Sequence, residues 1–430
     1  MSKPPHRFWD EDENSESFEK FSKIRKREKR KSRAGDLATR FEIAEKDWDL
    51  QSVEGAFAAR VVEVHKRYAF VSPEAEPGQV KTNDVWLATI ARRHLTARRE
   101  QRNFVCVGDR VLCRPAREDE LASTSELPQC LVEALAPRST RLARRDPMTP
   151  EREHILCSNV DQLAVVASFR KPLVKWGLID RYLVLAESEG IRPLIILNKR
   201  DLLDDDAGEL ERSEAAEIAR EGNDGAGEGE GSGPVSGGRD LGSFRRKCEE
   251  RIALYRSLGY EVFTMQANMK GVARDPEVKR LAGALKGKIT AFSGHSGVGK
   301  SSIVNLYKPE LVQAVEPDED IFYKGRHTTS YASFLKLGSG GYVIDTPGVR
   351  SFLLREDSPI HLTHCFVEMR PFLGKCAFRE CRHVDEPDCV VRAAVESGKI
   401  TRWRYKSYMG LLLGTTGRQG RTRDLEVEEP

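Results

Sequence analysis

The segment from Gly294 to Ser301, GHSGVGKS, constrains the fold of this chain more than any other feature. It fits the pattern GxxxxGK[ST], in which glycines let the backbone wrap closely around phosphates with its N–H groups pointing inward. The apolar run Lys288–Phe292 before it predicts a strand, and Ser301–Tyr307 after it predicts a helix. A strand–loop–helix unit of this kind predicts a P-loop in a mixed α/β domain with a parallel sheet.

The P-loop supplies the predicted phosphate contacts. Lys300 is expected to reach the β- and γ-phosphates as a point charge, and Ser301 to offer its hydroxyl to Mg²⁺. His295 is given no role beyond the geometry of the loop. The predicted contact residues are Gly294, His295, Ser296, Gly297, Val298, Gly299, Lys300, Ser301 and Ser302.

A second motif, Asn198-Lys199-Arg200-Asp201, selects the base because it follows directly on the predicted strand Leu194–Leu197. In an N-K-x-D arrangement the Asp201 carboxylate accepts from the N1–H and 2-amino groups of guanine, and adenine has no such pair of donors. Asn198 is expected to brace the surrounding loops, and the Lys199 stem to lie over the purine face.

Two further segments complete the guanine-nucleotide set. Asp345-Thr-Pro-Gly348 ends an apolar strand, so Asp345 is expected to hold Mg²⁺ through water and the Gly348 N–H to sense the γ-phosphate. Between it and the P-loop lies Gly325-Arg-His-Thr-Thr329, a predicted switch in which Thr328 or Thr329 coordinates Mg²⁺. The sequence leaves open which threonine does so. Because N-K-x-D precedes the P-loop in the chain, the domain is predicted to be circularly permuted.

A Cys/His cluster follows the nucleotide motifs: Cys376, Cys381, His383 and Cys389. Three thiolates and one imidazole predict a closed, tetrahedral structural Zn²⁺ site. The alternative is a set of reduced buried cysteines, which the polar segment RECRHVDEPD between the ligands disfavours.

The N-terminal part of the sequence, before the nucleotide motifs, has a different pattern of residues. About five short β-type runs between Glu54 and Ala136 predict a small barrel of the OB type. Basic residues crowd its middle (Arg92, Arg93, His94, Arg98, Arg99 and Arg102), and RNA binding by the barrel is left open. The basic run Lys23–Arg33 is read either as a solvated tail or as an RNA contact.

Composition excludes several classes of protein. The net charge is only +3, so any nucleic-acid signal has to come from local clustering. No run approaches the ~18 apolar residues of a membrane span. The polar, acidic start, MSKPPHRFWDEDENSESFEK, is unlike a secretory signal. We therefore expect a cytoplasmic protein without membrane association.

Taken together, these motifs resemble the small ribosomal subunit biogenesis GTPases of the RsgA/YjeQ type. The resemblance covers about residues 54–412 and includes RSTRLAR at 138–144, GHSGVGKSSIVN, GRHTT, DTPGVRSF and the Cys/His segment. It implies a role in late maturation of the small ribosomal subunit, with barrel and zinc domain contacting rRNA and with hydrolysis of GTP to GDP stimulated by the subunit.

The resemblance also implies a catalytic set of His327, Lys300, Thr328 and Thr329. Val349 stands where Ras-like enzymes have a water-positioning Gln, so intrinsic hydrolysis is expected to be slow. His327 is the candidate for the missing role, and the alternative is that it is only a loop residue. The base-contacting loop departs from the usual Ser-Ala and reads Met265-Gln-Ala-Asn268, in which the Ala267 N–H is expected to meet the guanine oxygen.

We therefore predict a multidomain α/β protein, expected to be a monomer, with an OB-type barrel, a permuted P-loop GTPase domain and a helical zinc-binding domain. The predicted segments are a basic, disordered tail at 1–50, the barrel at 54–137, the GTPase domain at 138–354 with a flexible insertion at 204–241, the zinc domain at 355–415 and a tail at 416–430. Two alternatives stay open: an RNA-binding assembly scaffold that binds GTP but hardly hydrolyses it, and a ribosome-independent GTPase acting on a protein partner.

Overall fold

The computed structural model describes residues 54–65, 68–76, 79–80, 84–90, 105–121, 127–145, 153–204, 241–268, 272–307, 333–338, 340–345 and 359–413. Several predictions fall outside these residues: both tails, the insertion between 205 and 240, the basic cluster from Arg92 to Arg102, the switch Gly325–Thr329, Gly348 and Val349. No helix within the described ranges is long and apolar enough to cross a bilayer. The chain divides into two compact units.

The first unit is built on a small β-barrel. Its strands are β1 (Phe57–Val64), β2 (Ala69–Glu76), β3 (Gln79–Val80), β4 (Trp86–Ile90), β5 (Arg110–Pro115) and β6 (Gln129–Leu135). The hydrogen-bonded order is β1-β5-β6-β4-β2, and β1 also pairs with β2, which closes a ring of five strands. Buried apolar side chains fill the interior, and at most 1% of each is exposed: Ala59, Val71, Ala88, Val111, Cys113, Val132 and Leu135. The predicted five-stranded barrel is confirmed.

The second unit contains a six-stranded sheet. Its elements are β9 (Gln162–Ser168), α1 (Trp176–Ser188), β10 (Arg192–Asn198), α2 (Asp201–Asp204), α3 (Leu241–Ser257), β11 (Glu261–Thr264), α4 (Pro276–Leu285), β12 (Ile289–Gly294), α5 (Lys300–Asn305), β13 (Ser333–Lys336) and β14 (Tyr342–Asp345). The hairpin β7 (Arg141–Arg145) and β8 (Glu153–Ser158) precedes it. The strand order is β11-β10-β9-β12-β14-β13, parallel throughout except for β13.

Near-continuous apolar runs explain why β9 and β10 are central strands. Leu163, Ala164, Val165 and Val166 of β9 and Leu194–Leu197 of β10 are at most 1% exposed, as expected for parallel strands covered on both faces. In such a sheet the carboxyl ends of the strands lie along one edge, where ligands bind. The P-loop, the N-K-x-D motif, the segment after β11 and Asp345 all begin at this edge.

The C-terminal segment packs on the same unit through three short helices, α6 (Pro359–His364), α7 (Val390–Glu396) and α8 (Arg402–Leu412). Phe366, Met369, Val391 and Tyr408 form its core, and Val184 of α1 belongs to the same cluster. Helix α1 therefore contributes to the core of the C-terminal segment. The domain boundaries predicted from the sequence stay predictions.

A fully buried arginine joins α8 to α1. Arg404 donates to Asp180 of α1 at 2.5 Å and, through Nε, to Glu368 at 2.5 Å. Tyr255 and Ser407 also donate to Asp180, at 2.6 and 2.5 Å. Burial by itself lowers the pKa of Arg404, but the charges of Asp180 and Glu368 outweigh it and raise that pKa well above its usual value. The buried Arg404 guanidinium therefore keeps its charge because of the Asp180 and Glu368 carboxylates, and these two carboxylates are in turn compensated by Arg404.

Replacing Arg404 with methionine would leave two carboxylates in a buried site. Because breaking a buried ion pair exposes an uncompensated charge to a low dielectric, we expect Arg404→Met to lower the free energy of unfolding by about 3–5 kcal/mol. Arg402→Met, at an exposed position of the same helix, should change it by less than about 0.5 kcal/mol. Denaturant unfolding followed by circular dichroism measures both, and similar losses in the two variants would contradict the expectation.

Candidate nucleotide site and metal centre

The P-loop connects β12 to α5 and depends on three glycines with positive φ: Gly294 (152°), Gly297 (82°) and Gly299 (94°). A Cβ at Gly294 would collide with the carbonyl oxygen of Val166, and one at Gly299 with the side-chain amide of Asn198. L-residues with side chains rarely adopt these angles. The loop can therefore follow this path only with glycine at these positions.

Lys300 folds back onto the P-loop. Its ammonium donates to the carbonyl oxygens of Gly294 at 3.0 Å and His295 at 2.9 Å. Partial burial lowers the pKa of this ammonium, and the negative charge of Asp345 opposes that shift. Ser301, exposed, and Ser302, half-buried, follow it in the first turn of α5. The charge therefore lies in the loop where phosphates bind in P-loop proteins.

Asn198 ties two segments of the site together. Its side-chain NH₂ group donates to the Val298 carbonyl oxygen at 2.9 Å, and its oxygen accepts from the Ala267 N–H at 3.0 Å. The side chain is buried. The structure thus brings the P-loop, the N-K-x-D motif and the segment after β11 into contact. The Ala267 N–H, assigned from the sequence to the guanine oxygen, donates to the Asn198 side chain.

The remaining N-K-x-D residues lie at the start of α2. Lys199 has a φ of 60°, and its ammonium donates to the carbonyl oxygen of Lys171 in the loop between β9 and α1. Partial burial lowers the pKa of Lys199, and the charge of Asp201 opposes this. Asp201 is exposed. Sequence reasoning missed the Lys171 contact, because a backbone carbonyl carries no signature in the sequence.

Asp345 ends β14, next to the strand that leads into the P-loop. Its backbone lies opposite Phe292 of β12 in the parallel pairing. The Asp345 carboxylate and the Ser301 hydroxyl are hard oxygen donors of the kind that Mg²⁺ prefers, so these residues fit a magnesium ion bound with a nucleotide. The other predicted ligands and catalytic residues, His327, Thr328, Thr329 and Gly348, lie outside the described residues.

The Cys/His cluster is assembled as the spacing predicts. The ligand atoms of Cys376, Cys381, His383 and Cys389 all lie within 4.8 Å of one another. His383 Nδ1 is 3.3 Å from Cys389 Sγ and 3.6 Å from Cys376 Sγ, and these two sulfurs are 3.9 Å apart. Zn–S bonds of ~2.3 Å in a tetrahedron require S···S separations of ~3.8 Å. The donor set and its spacing therefore fit a closed zinc site.

Helix α8 and one carboxylate hold the ligand loop in place. Tyr405 and Tyr408 donate their hydroxyls to the carbonyl oxygens of His383 and Arg382, both at 2.6 Å. Glu386 accepts from the N–H groups of Arg382 at 2.6 Å and Val384 at 2.8 Å. These supporting residues were not found from the sequence, since tyrosines on a helix read as ordinary core residues.

Gly299 offers a direct test of the site geometry. Gly299→Ala adds a positive-φ strain of about 1–2 kcal/mol and a collision with Asn198, so GDP affinity should fall at least about tenfold. Gly190→Ala is the matched control, because Gly190 also has a positive φ (66°) but a Cβ there meets nothing within 4 Å. Isothermal titration calorimetry measures both, and unchanged GDP affinity in Gly299→Ala would contradict the geometry.

The metal centre is tested by zinc content. Cys381→Ser removes one of four ligands, so the purified protein should lose most of its zinc and become less stable to heat. Cys365→Ala removes a buried cysteine of the same core that lies outside the ligand set, and it should keep its zinc. Inductively coupled plasma mass spectrometry gives the metal content. Equal zinc in Cys381→Ser and the unmodified chain would exclude Cys381 as a ligand.

Comparisons with known proteins agree with this geometry. The family model described as RsgA GTPase matches residues 135–222 and 238–355. The small ribosomal subunit biogenesis GTPase RsgA of Shewanella oneidensis is 36% identical over 301 residues, covering 70% of this chain and 72% of that protein. Its counterpart in Chlorobaculum tepidum is 35% identical over 319 residues, covering 73% of this chain and 86% of that protein.

Two solved structures share the fold. The crystal structure of YjeQ from Thermotoga maritima matches with a TM-score of 0.55 and 28% identity, covering 85% of this chain and all (100%) of that one. The structure of YloQ, described as a circularly permuted GTPase, matches with a TM-score of 0.54 and 23% identity, covering 86% and 99%. The predicted permuted fold is therefore confirmed. This chain belongs to the RsgA GTPase family and is a GTP hydrolase.

Proposed function

We propose that this GTP hydrolase binds the small ribosomal subunit during late maturation and hydrolyses GTP to GDP and phosphate faster when the subunit is bound. The relatives, which are named as small ribosomal subunit biogenesis GTPases, support this partner. The observation that carries the nucleotide chemistry is the Asn198 amide, which holds the P-loop and the base-reading segment together. We propose a cytoplasmic monomer that contacts rRNA through its barrel and zinc-bearing segment.

Guanine recognition is assigned to the segments that Asn198 joins. Asp201, exposed at the start of α2, would accept from the N1–H and 2-amino groups, with the Lys199 stem against the purine face. The Ala267 N–H would share its bond to Asn198 with the guanine oxygen. Adenine, which lacks the paired donors, would leave the Asp201 carboxylate without its partners.

Phosphate binding is assigned to the P-loop. Backbone N–H groups from Gly294 to Ser302 would surround the phosphates, and the Lys300 ammonium would leave its two loop carbonyls for the β- and γ-oxygens. Ser301 and Asp345, together with Thr328 or Thr329, would hold Mg²⁺, which would neutralise charge at the phosphates. The Gly348 N–H would sense the γ-phosphate.

Water activation is assigned to His327. Val349 cannot orient a water molecule, because its side chain has no hydrogen-bonding group. Turnover of the isolated protein is therefore expected to be slow, with His327 organised on the subunit. In the C-terminal segment, Zn²⁺ would be held by the Cys/His cluster in a structural role, since four protein ligands leave no open position for a substrate.

The test is GTP turnover by the purified protein, alone and with purified small subunits. We expect subunits to raise turnover at least about tenfold, since supplying a missing catalytic element raises GTPase rates by ~10³–10⁵. Lys300→Ala should abolish the stimulated rate, and His327→Ala should reduce it while leaving GDP affinity unchanged. Lys288→Ala is the matched control: Lys288 is exposed and immediately precedes β12, at the far end from the P-loop.

Three results would contradict the proposal. Subunits that bind without changing turnover favour an RNA-binding scaffold, and fast turnover without subunits favours a GTPase that acts on another partner. Full GTPase activity in Lys300→Ala would contradict the role assigned to the P-loop in GTP hydrolysis.

A further inference from the structure

The loop between β9 and α1 lies outside every nucleotide-binding motif, yet it contacts the segment that carries N-K-x-D and faces the P-loop. The loop carries Arg170, Lys171 and Pro172 in succession. Arg170 and Lys171 contact the N-K-x-D segment and Pro172 faces the P-loop, so the loop has more connections to the site than its sequence suggests.

Lys171 contacts the N-K-x-D motif. Its carbonyl oxygen accepts a hydrogen bond from the Lys199 ammonium. Both lysines have positive φ, 52° for Lys171 and 60° for Lys199, and such angles in residues other than glycine concentrate at functional sites. Because the ammonium is held at the loop, the four-carbon stem of Lys199 spans a fixed path between the loop and its own backbone.

Pro172 faces the P-loop. Its Cδ lies 3.7 Å from the position that a Cβ on Gly297 would occupy, which is ordinary packing distance. The Pro172 carbonyl oxygen accepts from the Ser168 hydroxyl at 2.7 Å, so the proline is anchored to the end of β9. Pro172, His295 and Val298 also border one cavity between α1 and the P-loop.

Arg170 contacts the residue after Asp201. The arginine is buried, and its guanidinium donates to the Leu202 carbonyl oxygen at 3.4 Å. The Phe169 N–H donates to the Asn198 carbonyl oxygen at 3.1 Å, which fixes the start of the loop against the end of β10. The loop therefore contacts the chain on both sides of Lys199, at Asn198 and Leu202, and faces the P-loop near Gly297.

We propose that Arg170, Lys171 and Pro172 are positioning residues that set the guanine-reading motif relative to the phosphate loop. The Lys171 carbonyl holds the Lys199 stem in place for the purine face, Arg170 fixes the turn that carries Asp201, and Pro172, anchored to the end of β9, sets the loop opposite the P-loop. The inference rests on the nucleotide contacts assigned under the proposed function. It predicts that the loop controls guanine selectivity rather than phosphate binding.

The first experiment compares GDP with IDP, which lacks the 2-amino group that Asp201 is assigned to read. Pro172→Gly should weaken GDP binding about tenfold and IDP binding less, so that the ratio of the two affinities falls at least about threefold. Pro193→Gly is the matched control, because Pro193 lies at the other end of β10 from Asn198. Calorimetric titration gives the affinities, and thermal unfolding reports the stability of each variant.

A double-mutant cycle then tests whether the loop affects GDP binding through Lys199. Lys199→Met keeps most of the apolar stem but removes the ammonium that binds Lys171. If the loop acts through Lys199, Pro172→Gly should weaken GDP binding by less than about twofold in the Lys199→Met background. A conservative Arg170→Lys variant should retain more of the GDP preference than Arg170→Gln.

The outcomes separate the inference from the proposed function. Equal weakening of GDP and IDP in Pro172→Gly, or independent effects that multiply in the cycle, would overturn the positioning role while leaving guanine recognition intact. If the unmodified chain bound IDP as tightly as GDP, the role assigned to Asp201 would be wrong. The inference, which rests on that role, would then be wrong as well.

Discussion

The amide of Asn198 is the contact on which the nucleotide site depends. Its NH₂ group donates to the Val298 carbonyl oxygen, and its oxygen accepts from the Ala267 N–H. One side chain at the end of β10 therefore joins the P-loop to the segment after β11. An uncharged amide suits this buried position because it offers donors and an acceptor without the desolvation cost of an ion. The missing side chain at Gly299 provides the space for it.

Circular permutation leaves this geometry intact for a physical reason. The site is made where the carboxyl ends of β9, β10, β11, β12 and β14 meet, and that edge depends on strand order in the sheet rather than on order in the chain. What changes is connectivity. The chain leaves the sheet after Asp345 and continues to the zinc-bearing segment, whose core includes Val184 of α1.

The sequence predicted much of the architecture because its strongest signals have a fixed local geometry. The P-loop, the N-K-x-D motif and the Cys/His spacing each place chemistry within a few residues, and the apolar runs of β9, β10 and β12 mark central strands. Helix ends were less well defined: the helix after the P-loop, predicted at Ser301–Tyr307, runs from Lys300 to Asn305. The roles assigned to His327 and the switch threonines stay predictions.

Other features could not be predicted because they join residues far apart in the chain or use groups that every residue has. The Lys171 carbonyl is one such group. The hydroxyls of Tyr405 and Tyr408 reach the ligand loop across 22 and 26 residues, and Arg404 meets Asp180 across 224 residues. No local pattern distinguishes these side chains from ordinary core or surface residues.

The contact between Arg404 and Asp180 has a consequence for folding during protein synthesis. Asp180 is made 224 residues before Arg404, which at 5–20 residues per second is roughly 10–45 s. Throughout that interval the face of α1 that carries Asp180 and Val184 lacks the side chains that later cover it. The sheet strands and the P-loop are translated before this cover exists, so the nascent GTPase region carries an open face until α8 emerges. Chaperones that bind exposed apolar surface can therefore reach this face of α1 only until α8 packs against it.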